Sequence, residues 1–360
     1  MKIIERVLQK QIELRWDSGK VVLVLGPRQV GKTTLIENFC KRFGDYLYIN
    51  GDDVDNRTIL EDAGEARIRQ IIGNNKLIFI DEAQRIKNIG IILKIIHDRL
   101  KDVRVLVSGS SALEINNILN EPLTGRKWEY NLFPISWQEL NDHFGYLEAT
   151  KQLETRLIYG MYPEVVTHTG DEKNILKQLT GSYLYKDLLA YEGIRKPDLL
   201  DKLLVALALQ VGSEVSYNEL SQLLRIDRAT VEQYISLLEK AFVVFRLNPF
   251  SRNLRNEINS SRKIYFFDNG IRNAVINNFN PLQLRQDTGA LWENFMISER
   301  LKFNIYNEQN GRNYFWRTYQ QQEIDYIEDH DGKISAFEFK WNPNAKSRFS
   351  RVFTDAYSEA

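Results

Sequence analysis

Gly26-Pro27-Arg28-Gln29-Val30-Gly31-Lys32-Thr33 fits the pattern G-x-x-x-x-G-K-[ST] at every constrained position. A phosphate chain needs several N–H donors converging on it, and a loop wrapped before a helix supplies them together with the positive end of the helix dipole. Gly26 and Gly31 permit the wrapping, Lys32 would neutralise β- and γ-phosphates, and the Thr33 hydroxyl would ligate magnesium. The expected nucleotide contacts are therefore Gly26, Pro27, Arg28, Gln29, Val30, Gly31, Lys32, Thr33 and Thr34. Downstream, Asp81 and Glu82 stand side by side after an apolar run, where Asp81 would hold the magnesium through water and Glu82 would polarise an attacking water.

Both groups need a rigid support. Val21 to Leu25 is an unbroken aliphatic run that stops at Gly26, as a strand buried on both faces of a parallel sheet does. Thr34 to Phe39 continues as a helix, which completes the strand, loop, helix order. Leu77 to Ile80 is a second buried strand, delivering Asp81 and Glu82 to the crevice at the carboxyl edge of the sheet. Val103 to Val107 and Tyr46 to Ile49 add strands, and Ile91 to Leu100 a helix, so the pattern is an α/β sheet with helices on both faces.

The segments Gly-Pro-Arg-Gln-Val-Gly-Lys-Thr-Thr, Phe-Ile-Asp-Glu-Ala-Gln and Val-Ser-Gly-Ser-Ser together resemble a large prokaryotic family of AAA-type P-loop ATPases, over nearly the whole chain. The resemblance implies ATP and magnesium as ligands and hydrolysis as the activity. It implies that Ser108 or Ser110, at the end of the strand beside Asp81, senses the γ-phosphate, although serines in that place are also common turn residues. It matches Gly125-Arg126 to a Gly-Arg pair of the family, so that Arg126 is either a finger on transition-state charge, in cis or in trans, or a surface arginine. His97 beside Asp98 has no ligand spacing around it and reads as structural.

At 360 residues the chain calls for more than one folding unit. With 43% hydrophobic and 27% charged residues it has an ordinary globular composition. Lys plus Arg and Asp plus Glu both number 48, so a nucleic-acid site must be a local patch. The single cysteine, Cys40, excludes an internal disulfide framework, and no apolar run is long enough to span a bilayer, so a cytoplasmic setting is expected, without membrane contact. The expected domains are an ATPase core at 1–145, a helical lid at 146–200, a winged helix-turn-helix at 201–250 and a restriction-endonuclease-like α/β domain at 251–360.

For the lid, Trp137 to Phe144 and Leu153 to Tyr159 are helical, broken at Tyr162-Pro163-Glu164. The winged helix begins with an apolar helix, Leu199 to Val211. Ser216-Tyr217-Asn218-Glu219 has capping-box form and starts a helix that turns Leu220, Leu223 and Leu224 inward. Asp227 caps the next, with Val231, Tyr234, Ile235 and Leu238 on one face, and Phe242 to Phe245 reads as a wing strand. Its second helix is too acidic to hug phosphates, which leaves a protein partner as one use of the module. The segment 246–263 gathers Arg246, Arg252, Arg255, Arg262 and Lys263 against one acid, Glu257, and could follow a DNA backbone.

In the last region a helix begins at Trp292-Glu293, with strands at Tyr314 to Trp316, Ile324 to Ile327 and Ala336 to Trp341. Asp325 followed by Glu338-x-Lys340 resembles the PD-(D/E)xK nuclease core. Residues i and i+2 of a strand share a face, so Glu338 and Lys340 project together toward a neighbouring acid. Asp325 and Glu338 could hold a divalent cation while Lys340 orients the water, with Glu293 contributing from its helix. The triplet alone means little, since Asp171-Glu172-Lys173 matches it by chance. Three functions stay open: an ATPase coupled to an unidentified partner or conformational switch, an ATP-regulated DNA-processing enzyme, and a nucleotide-dependent binding module with negligible turnover. A homo-oligomer is compatible with each.

Overall fold

Val21–Leu25 (β1) is buried at every position, because strands lie on both sides of it. With Leu47–Asn50 (β2), Leu77–Asp81 (β3), Arg104–Gly109 (β4) and Lys127–Asn131 (β5) it forms a parallel sheet of order β2-β3-β4-β1-β5. The computed structural model describes residues 3–110, 122–183, 196–250, 262–309, 311–318, 320–345 and 349–357. They divide into two compact units, the first made of Met1–Ile135 with Lys240–Phe242 and the second of Ser136–Glu239 with Val243–Ala360.

In the first unit, β4 lies between the strand that carries the glycine loop and the strand that ends in Asp81, so all three deliver their ends to one edge. The loop leads into the helix Lys32–Phe43, whose Leu35, Ile36, Phe39 and Cys40 are buried at helical spacing. Burial pushes the Cys40 thiol up to about 12, helped by Glu37, which leaves it inert at neutral pH. The strand β5 departs from the sequence expectation, in which helices follow Trp128. Its Lys-Trp-Glu-Tyr-Asn has one buried side chain and a single strand neighbour, so no apolar run marks it.

The second unit spans the segments expected as lid, winged helix and C-terminal domain. Helices at Trp137–Phe144 and Leu153–Tyr159 keep the expected bounds, the first closed by a capping box of Ser136 and Glu139. Pro163 opens a further short helix, Pro163–Thr167, at its first turn. Glu172–Gln178 is helical as well, and further along come the helices Pro197–Leu209, Tyr217–Leu224 and Arg228–Lys240. The Ser216 hydroxyl accepts from Glu219 N, and Asp227 accepts from Thr230 N at 2.8 Å, so both expected caps are in place. Leu223 is a correction: it is 64% exposed, because Tyr217, Leu220 and Leu224 make the buried face.

Glu214–Val215 (β6), Val244–Pro249 (β7), Arg262–Phe266 (β8), Arg312–Arg317 (β9), Glu323–His330 (β10) and Lys333–Phe337 (β11) form one sheet of order β11-β10-β9-β7-β8-β6. The expected wing strand therefore lies two residues further on, since Phe242 has a positive φ of 59° that ends the preceding turn. Parallel pairing of Asn248 with Tyr314 and Pro249 with Phe315 joins the β6–β8 ribbon to the C-terminal strands. The expected boundary at 250 falls within this sheet. Glu338 and Lys340 lie just beyond β11, not inside a strand running to Trp341.

The basic segment 246–263 also needs correcting. Arg246 donates to Glu239 at 2.8 Å, and Lys263 is 1% exposed between Glu293 and Glu323. Buried charge is held by opposite charge, so Lys263 does not face outward as a phosphate contact, while Arg246, 27% exposed, is tied to Glu239. Arg262 lies over the Tyr217 ring at 5.3 Å. Arg252, Arg255 and Glu257 lie outside the described residues, as does Ser111.

Candidate nucleotide and acidic sites

The glycine loop is built by close approach. A Cβ at Gly26 would collide with the Leu132 carbonyl oxygen, and Gly31 takes a φ of 93° at the start of the helix, so both positions call for glycine. Lys32 is buried, and its ammonium donates to Gly26 O at 2.9 Å and Pro27 O at 2.8 Å, which holds the cation over its own loop. Arg6, which no sequence motif singles out, donates to Val30 O at 2.8 Å and props the loop from behind.

Across the crevice, Thr33 Oγ1 donates to Asp81 Oδ2 at 2.9 Å, bringing the two expected magnesium ligands into contact. Tyr48 OH donates to the same oxygen at 3.2 Å. Burial, with Asp81 beside it, raises the Tyr48 pKa, so it remains a donor. The Ser108 hydroxyl donates to Asp81 Oδ1 and accepts from Glu82 N at 3.2 Å. Ser110 Oγ accepts from Gln84 Nε2 at 2.9 Å, and the same nitrogen donates to Glu82 Oε2 at 2.6 Å. Lys32, Thr33, Asp81, Glu82, Ser108 and Ser110 thus gather at one sheet edge. Tyr48 joins them with no spacing rule to announce it, and Gln84, which closes the segment Phe-Ile-Asp-Glu-Ala-Gln, finds its partner Ser110 only once β4 flanks β3.

Arg126 does not join them. Its carbonyl accepts from Val21 N at 3.0 Å, which puts it at the amino end of β1, about 13 Å of strand from Leu25. There its Nε donates to Asp98 at 2.9 Å. That bond and one from His97 hold the Asp98 carboxyl down at about 2. Arg126 thus sits at the edge away from the glycine loop, and His97 shares the same Asp98 carboxylate at 2.9 Å.

In the second unit, a β-bulge between Ile324 and Ile327 sets Asp325, which is buried and accepts from Phe339 N at 2.8 Å. Lys340 Nζ lies 2.7 Å from Glu338 Oε2 and 3.7 Å from Asp325 Oδ2, so the expected trio meets. Burial raises the Glu338 pKa, as does Asp325, against the opposing pull of Lys340. Glu293 receives the Tyr265 hydroxyl at 2.6 Å and lies 3.1 Å from Lys263. Burial, then Asp325, raises its pKa despite Lys263. Lys263 and Tyr265 were missed as partners, although their i, i+2 spacing on β8 puts them on one face. Among the described residues no group of three or more His, Cys, Asp or Glu side chains is arranged to hold a metal ion.

Comparison with known proteins bears on the first unit most directly. Residues 18–141 match a family model described as a AAA domain. A Walker-type ATPase of Pyrococcus abyssi superposes with a TM-score of 0.53 at 16% identity, over 76% of this chain and 96% of that one. The first unit has the P-loop AAA-like fold. Residues 150–282 and 288–360 match models described as domains of unknown function, DUF8612 and DUF4143. An uncharacterized protein of Mycobacterium tuberculosis is 29% identical over 325 residues, covering 89% of this chain and 70% of its own. Another, of Haemophilus influenzae, is 24% identical over 299 residues, covering 76% and 73%. Among the described residues no helix is long and apolar enough to cross a membrane.

Proposed function

We propose that the first unit binds ATP with magnesium and hydrolyses it, coupling turnover to a partner or to a conformational switch. The observation that carries this reading is the contact of Thr33 with Asp81 beside the buried Lys32 ammonium, a hydroxyl, a carboxylate and a cation at the mouth of a helix N-terminus. Thr33 and, through water, Asp81 would hold magnesium, which when bound offsets the charge of the phosphates. Lys32 and the loop N–H groups bind and orient the triphosphate, and Ser108 keeps Asp81 turned toward Thr33. Glu82 takes a proton from water as the water oxygen bonds to the γ-phosphorus and the bridging bond to the β-phosphate breaks. Cytoplasmic placement belongs to the same reading.

A nucleotide-dependent binding module without turnover differs from this in one measurable respect. Purified full-length protein, assayed with Mg-ATP, should release phosphate. Lys32→Ala should lose nucleotide binding, and Glu82→Gln should keep binding while hydrolysis slows about a hundredfold or more. Lys32→Ala binding Mg-ATP at wild-type affinity would overturn the site.

A second reading is favoured by Lys340 touching both Glu338 and Asp325. On it, the second unit is a PD-(D/E)xK-like nuclease domain preceded by a winged helix, the latter supported by three helices and an antiparallel β6–β8 ribbon. Asp325 and Glu338 would then hold a divalent cation. Magnesium- or manganese-dependent DNA cleavage should vanish in Asp325→Ala while ATP hydrolysis survives. Stimulation of ATP hydrolysis by single- or double-stranded DNA would link the two activities; with neither effect, the winged helix is left to a protein partner.

A further inference from the structure

Gln84 stands two residues beyond Glu82 in a short 3-10 turn, Ala83–Arg85, and only 8% of it is exposed. Its amide nitrogen is fully used, with one hydrogen bond to Glu82 Oε2 at 2.6 Å and one to Ser110 Oγ at 2.9 Å. Its oxygen, Oε1, is buried with no hydrogen-bond partner among the described residues. The opposite orientation of the amide would set a carbonyl oxygen against a carboxylate, so the donor must face Glu82. A buried acceptor left without a partner is destabilising, so this glutamine is not there as the best filler of its space.

Glu82 is held at a second point. Its backbone takes the left-handed conformation, φ 49° and ψ 46°, rare for a residue with a side chain, and its N–H donates to Ser108 Oγ at 3.2 Å. Ser108 and Ser110 both come from the carboxyl end of β4, the strand between the glycine loop and Asp81. Ser108 therefore anchors the main chain of Glu82 while Ser110, acting through Gln84, anchors its carboxylate. The amide uses one lone-pair direction of Oε2 of Glu82, a half-buried residue.

We propose that Gln84 is the positioning residue for Glu82, tying the carboxylate that takes the proton of water to Ser110 at the end of β4. The proposal rests on the reading of Glu82 given above. A neutral donor suits this role, because it orients the carboxylate without adding charge and without competing for the proton. A change in the position of Ser110 would pass to Glu82 through two hydrogen bonds, so the end of β4 governs the rate of proton transfer more than the affinity for nucleotide.

The test is the pH dependence of kcat for Gln84→Glu in the full-length protein, with Gln84→Ala, Ser110→Ala and Glu82→Gln beside it. In Gln84→Glu two carboxyls lie within hydrogen-bond reach. At low pH they share a proton, and the protonated residue 84 still donates to Glu82; as pH rises the second proton leaves, the donor is lost and like charges separate. The ratio of its kcat to that of the wild type should fall about tenfold between pH 6 and 9, with KM for Mg-ATP unchanged. Gln84→Ala and Ser110→Ala should each lower kcat roughly fivefold at every pH, the loss of one ordinary hydrogen bond. A flat ratio for Gln84→Glu together with wild-type kcat in Ser110→Ala would overturn the role of Gln84. Wild-type hydrolysis by Glu82→Gln would instead remove the reading of Glu82 on which it stands. Ser110→Ala removes only a hydroxyl, so it keeps the question answerable even if the residue 84 variants fold poorly.

Discussion

Lys263→Ala tests how the acidic cluster of the second unit is held. The Lys263 ammonium is 1% exposed, lies 3.1 Å from Glu293 and pairs with Glu323. Burial draws its pKa down, but the Coulomb attraction of Glu293 and Glu323 outweighs this and raises it. Removing one partner of a buried pair leaves uncompensated charge and typically costs about 3–5 kcal/mol. For a unit of this size that is roughly a 10 °C fall in its thermal transition. The pH dependence has a definite sign. The carboxyl of Glu293 already has a raised pKa, and losing Lys263 raises it further. An acid whose folded pKa lies above its unfolded value penalises the fold when ionised, and the penalty disappears as pH falls through the folded pKa. The variant should therefore lose most at pH 8 and recover toward pH 5. Calorimetry of the full-length protein at both values decides the matter. A transition within 2 °C of wild type at pH 8 would mean that Lys263 is a solvated surface charge after all, and would restore it to a DNA-facing patch.

Three further outcomes follow from single contacts. Arg126→Ala should hydrolyse ATP at the wild-type rate, flat per molecule across dilution, and should let the Asp98 pKa rise from about 2 toward its ordinary value, seen by NMR. Activity that climbs with concentration in the wild type and collapses in the variant would make Arg126 a finger in trans. Gly51→Ala would drive a Cβ into the Glu82 carbonyl oxygen; a displacement of that order should cut kcat about a hundredfold with nucleotide still bound, and an unchanged kcat would show that Glu82 has room to move. Ser216→Ala removes the cap of the Tyr217–Leu224 helix and should cost about 1 kcal/mol by thermal unfolding, with ATP turnover untouched; no loss would mean that water replaces the cap.

Much of the candidate nucleotide site follows from the amino-acid sequence alone, because its determinants are local. The glycine spacing, the apolar run before it and the helix after it are consecutive, and the buried strand ending in two acids takes its meaning from that loop upstream. Tertiary structure decided what depends on the order of strands. Placing β4 between β1 and β3 brings Ser108 to Asp81 and Ser110 to Gln84, and parallel pairing of β5 carries Arg126 to the opposite edge from the glycine loop. Neither arrangement has a local pattern, since hydrogen-bonded neighbours in a parallel sheet are distant in sequence. Charge behaves likewise. Lys263 lies in a segment rich in basic residues, yet Glu293 and Glu323, far along the chain, draw it into the interior. Composition counts charges and periodicity assigns faces, but the partner of a buried ion is fixed only when the sheet is assembled.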